Sequence, residues 1–375
     1  MDPHTQFCPN MACPARGRIG KGNIVIHSQK EVRYKCTVCG KTFAATIGTP
    51  FYRLHHADDL VTTVLTLLAF GCPPQAIVVA FQLDERTVAE WQGRAGQHSQ
   101  QVHAHLVERP RDLQHVQADE ISVKAQGRVL WLALAVMVST RLWLGGVVSP
   151  QRNEQLITRL IEQVRRCALA RPLLICVDGL ATYVTAIQAV FRSPLPSGQR
   201  GRPRLIRWPD IHIGQVIKHY HGKRLVGIVR RLAQGTREGA QTLLRQSQGG
   251  TDLNTAFIER LNATCRARLA ALARRTRCLV RQDETLTLAM YLVGCVYNFC
   301  TPHQSLRLPL YVSVGRRAHR RWVSRTPALA AGITDHCWTV KELLSYRVPP
   351  PRWELPKHRG KRSEAEKALI ARWCS

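Results

Sequence analysis

Apolar residues recur along this 375-residue chain with spacings that separate helices from strands. Between residues 58 and 106 the period is helical: Leu60, Val61, Val64, Leu65 and Leu68 mark one face. Gly71 and Pro73-Pro74 end that helix and let another begin, a short one over 76–81. Asp84 is then placed to cap a third helix, Asp84-Glu85-Arg86-Thr87-Val88-Ala89-Glu90-Trp91. Short helix, turn, polar-faced helix is the helix-turn-helix pattern. Its second helix would present Arg86, Thr87, Glu90 and Arg94 to a major groove. A plain helical bundle is the competing reading.

From residue 115 the period changes. Residues 116–124 read as a strand, and 129–138 as a nearly unbroken apolar strand of the kind buried on both faces. Residues 142–148, with Trp143, make a third. Residues 152–168 form an amphipathic helix with Leu156, Ile157, Leu160, Ile161 and Val164 inward. A short buried strand over 173–177 ends at Asp178-Gly179, and a helix over 181–191 follows. The order β-β-β-α-β-α predicts an α/β domain, a mixed sheet flanked by helices, in the order of the ribonuclease-H-like fold. Residues 192–209 read as a basic insertion, 215–231 as a strand pair broken at Gly222, and 256–275 and 285–300 as helices. The predicted domains are 1–53, 54–110, 111–302 and a basic, Pro-punctuated extension over 303–375.

Composition sharpens this. Apolar content of 45% and charged content of 21% describe a globular chain, not a disordered one. Lys+Arg is 54 against 25 Asp+Glu, a net charge of +29. Such an excess points to a polyanion, nucleic acid before a membrane surface or ribosomal setting, and to binding that weakens steeply with salt. The polar start Met1-Asp2-Pro3-His4 is unlike a secretory signal. The most apolar stretch, 286–300, is shorter than the ~20 residues a spanning helix needs. A cytoplasmic protein without membrane partners is expected.

Thirteen cysteines, mostly single in apolar segments, suit a reducing compartment. Four are paired: Cys8 with Cys13, and Cys36 with Cys39, with 22 residues between the pairs. Each pair offers two thiolates from one turn, and four thiolates suit one structural Zn²⁺. Gly40 fits a knuckle turn that needs positive φ. Two redox or incidental pairs are the alternative. In the insertion, Arg200-Gly201-Arg202-Pro203-Arg204 looks like an AT-hook core, with Arg200, Arg202 and Arg204 suited to a narrow minor groove. A generic basic DNA-contacting loop reads equally well.

Acids are scarce, so acids inside apolar strands are informative. Phosphoryl transfer on DNA is served by two Mg²⁺ or Mn²⁺ about 4 Å apart, held by carboxylate oxygens. Asp119 lies inside the first strand and Asp178 ends the fourth, at the carboxyl edge where ligand sites gather. In a ribonuclease-H-like sheet those two strands are neighbours. Asp178 is also placed to cap the next helix, and Glu120 competes with Asp119, although alternation should point it the other way. The third acid is Glu259. Ile258, Leu261, Cys265, Leu269 and Leu272 form a buried stripe at spacings of 3, 4, 4 and 3, and Glu259, Asn262 and Arg266 recur beside it. Glu259 can complete a metal site, Asn262 can orient it, and Arg266 can reach a phosphate. An ordinary surface ion-pair row is the plain reading of those three alone.

Gln117-Ala118-Asp119-Glu120-Ile121, Val177-Asp178-Gly179-Leu180-Ala181-Thr182-Tyr183 and Asn254-Thr255-Ala256-Phe257-Ile258-Glu259-Arg260-Leu261-Asn262 together resemble the three acidic motifs of bacterial insertion-sequence transposases with a DDE core. Tyr297-Asn298-Phe299-Cys300-Thr301-Pro302-His303-Gln304-Ser305-Leu306 resembles the segment that follows that core, and the Cys8 to Cys39 segment with Gly40-Lys41-Thr42-Phe43 resembles the family's zinc-binding domain. The four-residue gap between Cys8 and Cys13 departs from that pattern. The resemblance spans about 5–345 and implies binding of terminal inverted repeats, metal-dependent nicking at the element end, and in-line attack on target DNA by the released 3′-hydroxyl. Arg266, seven residues after Glu259, stands where the family often has a base that holds the terminal phosphate. The resemblance also implies a homo-oligomer that pairs two ends. The alternatives are a non-catalytic or domesticated DNA-binding regulator and another nuclease of the same fold.

Overall fold

The structure, a computed structural model, describes residues 1–195, 201–222, 224–273, 278–314, 317–354 and 360–373, with backbone alone over 311–314 and 317–320. The chain forms two compact units. One is Met1–Asp58 with Leu344–Ser375, the other Asp59–Leu343.

In the first unit, β1 (Ile24–Ser28), β2 (Arg33–Cys36) and β3 (Thr42–Ala44) make an antiparallel sheet. Its small core holds Phe7, Ile24, Tyr34 and Phe43 around the four cysteines. The C-terminal segment returns to this module: Trp373, 3% exposed, packs into the same cluster. Arg347 lies over the rings of Phe7 and Phe43, 4.4 and 5.3 Å from their centroids, and donates to the Ile47 carbonyl. A core this small gains from each such attachment.

The second unit opens with α1 (Asp58–Ala69), α2 (Pro74–Phe81) and α3 (Glu85–Leu106). Gln82 in the turn takes φ 52°, and Asp84 caps α3 by accepting from the Arg86 N–H at 2.8 Å. The first turns of α3 leave Arg86 and Glu90 exposed. Its later turns bury Trp91, Ala95, Val102 and His103. There α3 crosses α8 (Asp283–Cys295) so closely that a Cβ on Gly96 would lie 2.5 Å from the Leu288 carbonyl oxygen. The helical module and the sheet domain are therefore one packed body.

The sheet has six strands: β4 (His115–Ala125), β5 (Arg128–Met137), β6 (Trp143–Ser149), β7 (Leu173–Asp178), then β10 (Ile211–His221) and β11 (Arg224–Gln234). Between them lie α4 (Glu154–Cys167), α5 (Ala181–Val190) and a small hairpin, β8 (Arg192–Pro194) with β9 (Leu205–Arg207), inside the expected insertion. The strand order is β11-β10-β7-β4-β5-β6. β4, β5 and β6 run antiparallel, β7 is parallel to β4, and β10 to β7. α6 (Arg237–Gln246) and α7 (Ala256–Arg268) follow. Ile121, Val123, Leu132 and Leu134 on one face bury against Ile258, Leu261 and Cys265 of α7 and Met290 of α8. Tyr183 of α5 reaches the other face. The helix expected over 256–275 ends at Arg268, where Leu269 turns extended. Among the described residues no helix is long and apolar enough to cross a membrane.

Candidate metal centre

Register decides what the sheet edge carries. β4 and β7 pair Gln117 with Cys176, so continuing the ladder sets Asp119 level with Asp178 on neighbouring parallel strands. β7 and β10 pair Asp178 with Val216, which puts Lys218 one step beyond on the same face. That face is the one α7 covers. Gln117, fully buried, ties α7 down: its Oε1 accepts from the Phe257 and Ile258 N–H groups at 2.9 and 3.1 Å, and its Nε2 donates to the Asn254 carbonyl at 2.8 Å. A strand glutamine thus caps the helix that carries Glu259, satisfying donors that helix starts leave open.

Asp119, Asp178 and Glu259 line one cleft of about 480 Å³, together with Arg152, Lys218, Tyr220 and Thr255. Asp119 is the best held. Its Oδ1 accepts from the Glu120 N–H at 2.9 Å and its Oδ2 from Asn262 Nδ2 at 2.8 Å. Asp178 accepts from the Leu180 N–H at 2.9 Å in the turn ahead of α5, without capping that helix, and lines the cleft. Burial, with the Glu120 and Asp178 carboxylates beside it, pushes Asp119 up to about 7. Burial and like charge both disfavour the ionised form, and the Asp119, Glu120 and Asp178 group is one that could hold a cation.

The tightest acidic group differs from the expected trio. Ligand oxygens of Asp119, Glu120 and Asp178 lie within 4.8 Å of one another. Glu259, about half exposed, is paired with Lys218 and accepts from Thr255 Oγ1 at 2.7 Å. Glu120 does point to the other face, as alternation requires, yet its side chain is buried and engaged by Tyr183 Oη at 2.8 Å and Arg152 Nε at 2.6 Å. Asn262 orients Asp119, and Arg266 is not among the residues lining the cleft. Arg152, from the loop after β6, is the arginine that lines the cleft. Lys218 and Arg152 had no local signature, because strand pairing and a loop bring them in.

The second cluster is in the first unit. Cys8 Sγ and Cys39 Sγ are 3.7 Å apart, Cys13 and Cys36 3.9 Å, and all four lie within 4.8 Å. A tetrahedron with metal–sulfur bonds of about 2.3 Å has edges of about 3.8 Å, so the four fit one ion. The longer first loop does not prevent this, since Asn10 turns it and accepts from the Cys13 N–H. Gly40 takes φ 70° and donates to the Cys36 carbonyl at 2.9 Å. Burial pushes the Cys8 thiol well up and Cys13 to about 12. Burial also opposes the Cys39 thiolate, but hydrogen bonds from the Lys41 backbone and the Asn10 side chain draw it down to about 7.

Of the DNA-facing candidates, Arg86 is exposed, whereas Arg94 is half-buried and paired with Glu90 at 3.3 Å. Arg202 and Arg204 are exposed beside the β8–β9 hairpin, and Arg200 lies outside the described residues. No protein-family model matches the chain, and no curated protein matches it in sequence.

Proposed function

We propose that this chain is a DDE-type DNA transposase built on a ribonuclease-H-like core. One observation carries the reading: two aspartates stand level on adjacent parallel strands, and a glutamate from α7 lines the same cleft. The order β6-β5-β4-β7-β10, three antiparallel strands and then two parallel to the first, supports the fold, with β11 as an added edge. Asp119 and Asp178 would hold Mg²⁺ or Mn²⁺, with Glu259 completing the site once Lys218 lets go. Bound there, two such ions neutralise charge on a phosphodiester and align its in-line displacement. The protein's own contribution is placement: Asn262 and the Glu120 N–H hold Asp119 in one orientation, and Gln117 holds α7 against the strand.

In this reading the four thiolates hold one structural Zn²⁺, α2 and α3 form the helix-turn-helix, and Arg86 and the basic insertion meet double-stranded DNA. The test is incubation of purified protein with Mg²⁺ or Mn²⁺ and DNA flanking its coding sequence. Site-specific nicks and joining of a pre-cleaved 3′ end to plasmid are expected. Both should vanish in Asp119→Asn, Asp178→Asn and Glu259→Gln while DNA binding persists. The Lys218–Glu259 pair favours a second reading, a nuclease of the same fold working with Asp119 and Asp178. Nicking without joining, retained in Glu259→Gln, would establish that reading instead.

A further inference from the structure

Arg152 lines the cleft and pairs with the buried Glu120 behind it, and the proposed chemistry has used neither. Glu120 sits in the acidic group of short separation and is a possible third metal ligand on distance alone. Its surroundings argue otherwise. One oxygen accepts from Tyr183 Oη, and the other takes two donors of one guanidinium, Arg152 Nε and Nη2. A carboxylate engaged on both oxygens and shut off from solvent has little left for a cation, and removing its partner leaves a buried charge unpaired.

The same contacts define Arg152. Its guanidinium lies 5.0 Å from the centre of the Trp131 ring, and its Nη2 also reaches Asp178 Oδ2 at 3.5 Å. Among the described residues nothing is bonded to Nη1, the end of the fork turned from Glu120 in a side chain that lines the cleft and is 39% exposed. A long side chain normally loses much rotamer freedom on gripping a ligand. Here the buried carboxylate and the ring have already removed it. Planar guanidinium donors match the two oxygens of a phosphate.

We infer that Arg152 binds the phosphodiester beside the Asp119–Asp178 site, with Glu120 as its positioning residue and not as a metal ligand. This rests on the transposase or nuclease reading only in needing a phosphodiester next to a cation. The phosphate hold assigned by spacing to Arg266 thereby moves to a residue of the loop before α4.

The test uses the full chain with Mn²⁺ as the cation and the dinucleotide thymidylyl-thymidine as the phosphodiester. Calorimetry gives Mn²⁺ affinity, and Mn²⁺-induced relaxation of the ³¹P signal gives dinucleotide affinity. Arg152→Gln is expected to weaken dinucleotide binding roughly tenfold or more, about the worth of one charge-assisted hydrogen bond, without weakening Mn²⁺ binding. Arg152→Lys, which cannot span Glu120 and a phosphate together, should recover little of that loss. Glu120→Gln should keep the number of Mn²⁺ sites and change their affinity by less than tenfold, the effect of losing a neighbouring charge and not a ligand. It should weaken the dinucleotide on its own but add nothing in the double variant. Thermal melts of each variant confirm that it is folded, and if Arg152→Gln does not fold, the Arg152→Lys and Glu120→Gln arms still decide. A tenfold or greater loss of Mn²⁺ affinity in Glu120→Gln would overturn the inference. So would unchanged dinucleotide binding in a folded Arg152 variant. Absence of any Mn²⁺ binding by the unmodified protein would instead remove the metal-site reading itself.

Discussion

Replacing Asp119 by Asn should make the metal-free protein more stable above neutral pH, and the size of the gain follows from the cleft. Burial and two neighbouring carboxylates raise the Asp119 carboxyl from 3.8 to about 7. Between those limits the native state keeps a proton that the unfolded chain releases, so stability falls as pH rises through that window. A displacement of about three pKa units is worth about 4 kcal/mol, all of it lost once pH exceeds about 7. Asn carries no charge to desolvate and can still accept the Glu120 N–H. The assay is thermal melting in EDTA from pH 4.5 to 8.5. The unmodified protein should lose stability toward high pH, while Asp119→Asn should stay flatter. At about 2 °C per kcal/mol for a domain of this size, the two should separate by several degrees at pH 8. Mn²⁺ should then restore the unmodified protein at pH 8 and leave the variant almost unmoved. Parallel pH profiles for the two proteins in EDTA would refute the account of a strained carboxylate cluster.

The four-cysteine module is expected to bind one metal per chain and to show thiolate-to-metal charge transfer on Co²⁺ substitution. Because the thiols must lose protons, affinity should drop as pH falls from 8 to 6, and Cys36→Ser should melt the first unit in limited proteolysis. Gln117→Leu leaves the Phe257 and Ile258 N–H groups without their buried acceptor. A loss of about 1–3 kcal/mol in denaturant titration is expected, with faster hydrogen exchange over the start of α7. Gly96→Ala forces a Cβ to within 2.5 Å of the Leu288 carbonyl, which must part α3 from α8. A cost of about 1–3 kcal/mol is expected, and a melting temperature equal to that of the unmodified protein would contradict the crossing described.

Much of the site is written in short-range pattern. Alternation along β4 separates Asp119 from Glu120, and the helical stripe Ile258, Leu261, Cys265 sets the rotation of α7. The two cysteine pairs, with Gly40 after the second, define a four-thiolate cluster. These features are legible because each depends on residues a few positions apart, whose relative directions follow from backbone geometry alone.

Other features depend on which distant segments pair. That Asn262 holds Asp119, that Lys218 takes Glu259, and that Gln117 caps α7 all follow from strand register and the docking of α7. Arg152 reaches the acids from a loop, and Trp373 reaches the cysteine cluster from the far end of the chain. Local spacing says nothing about such meetings, because a connecting loop can close at nearly the same entropic cost over many lengths and leaves no periodic trace. The sequence by itself determined which elements form, where its scarce acids and paired cysteines lie, and which side chains share a face. Only the tertiary structure decided which groups hold the two oxygens of Asp119, which acids keep a cation of the chain as partner, and which arginine stands at the acidic cleft.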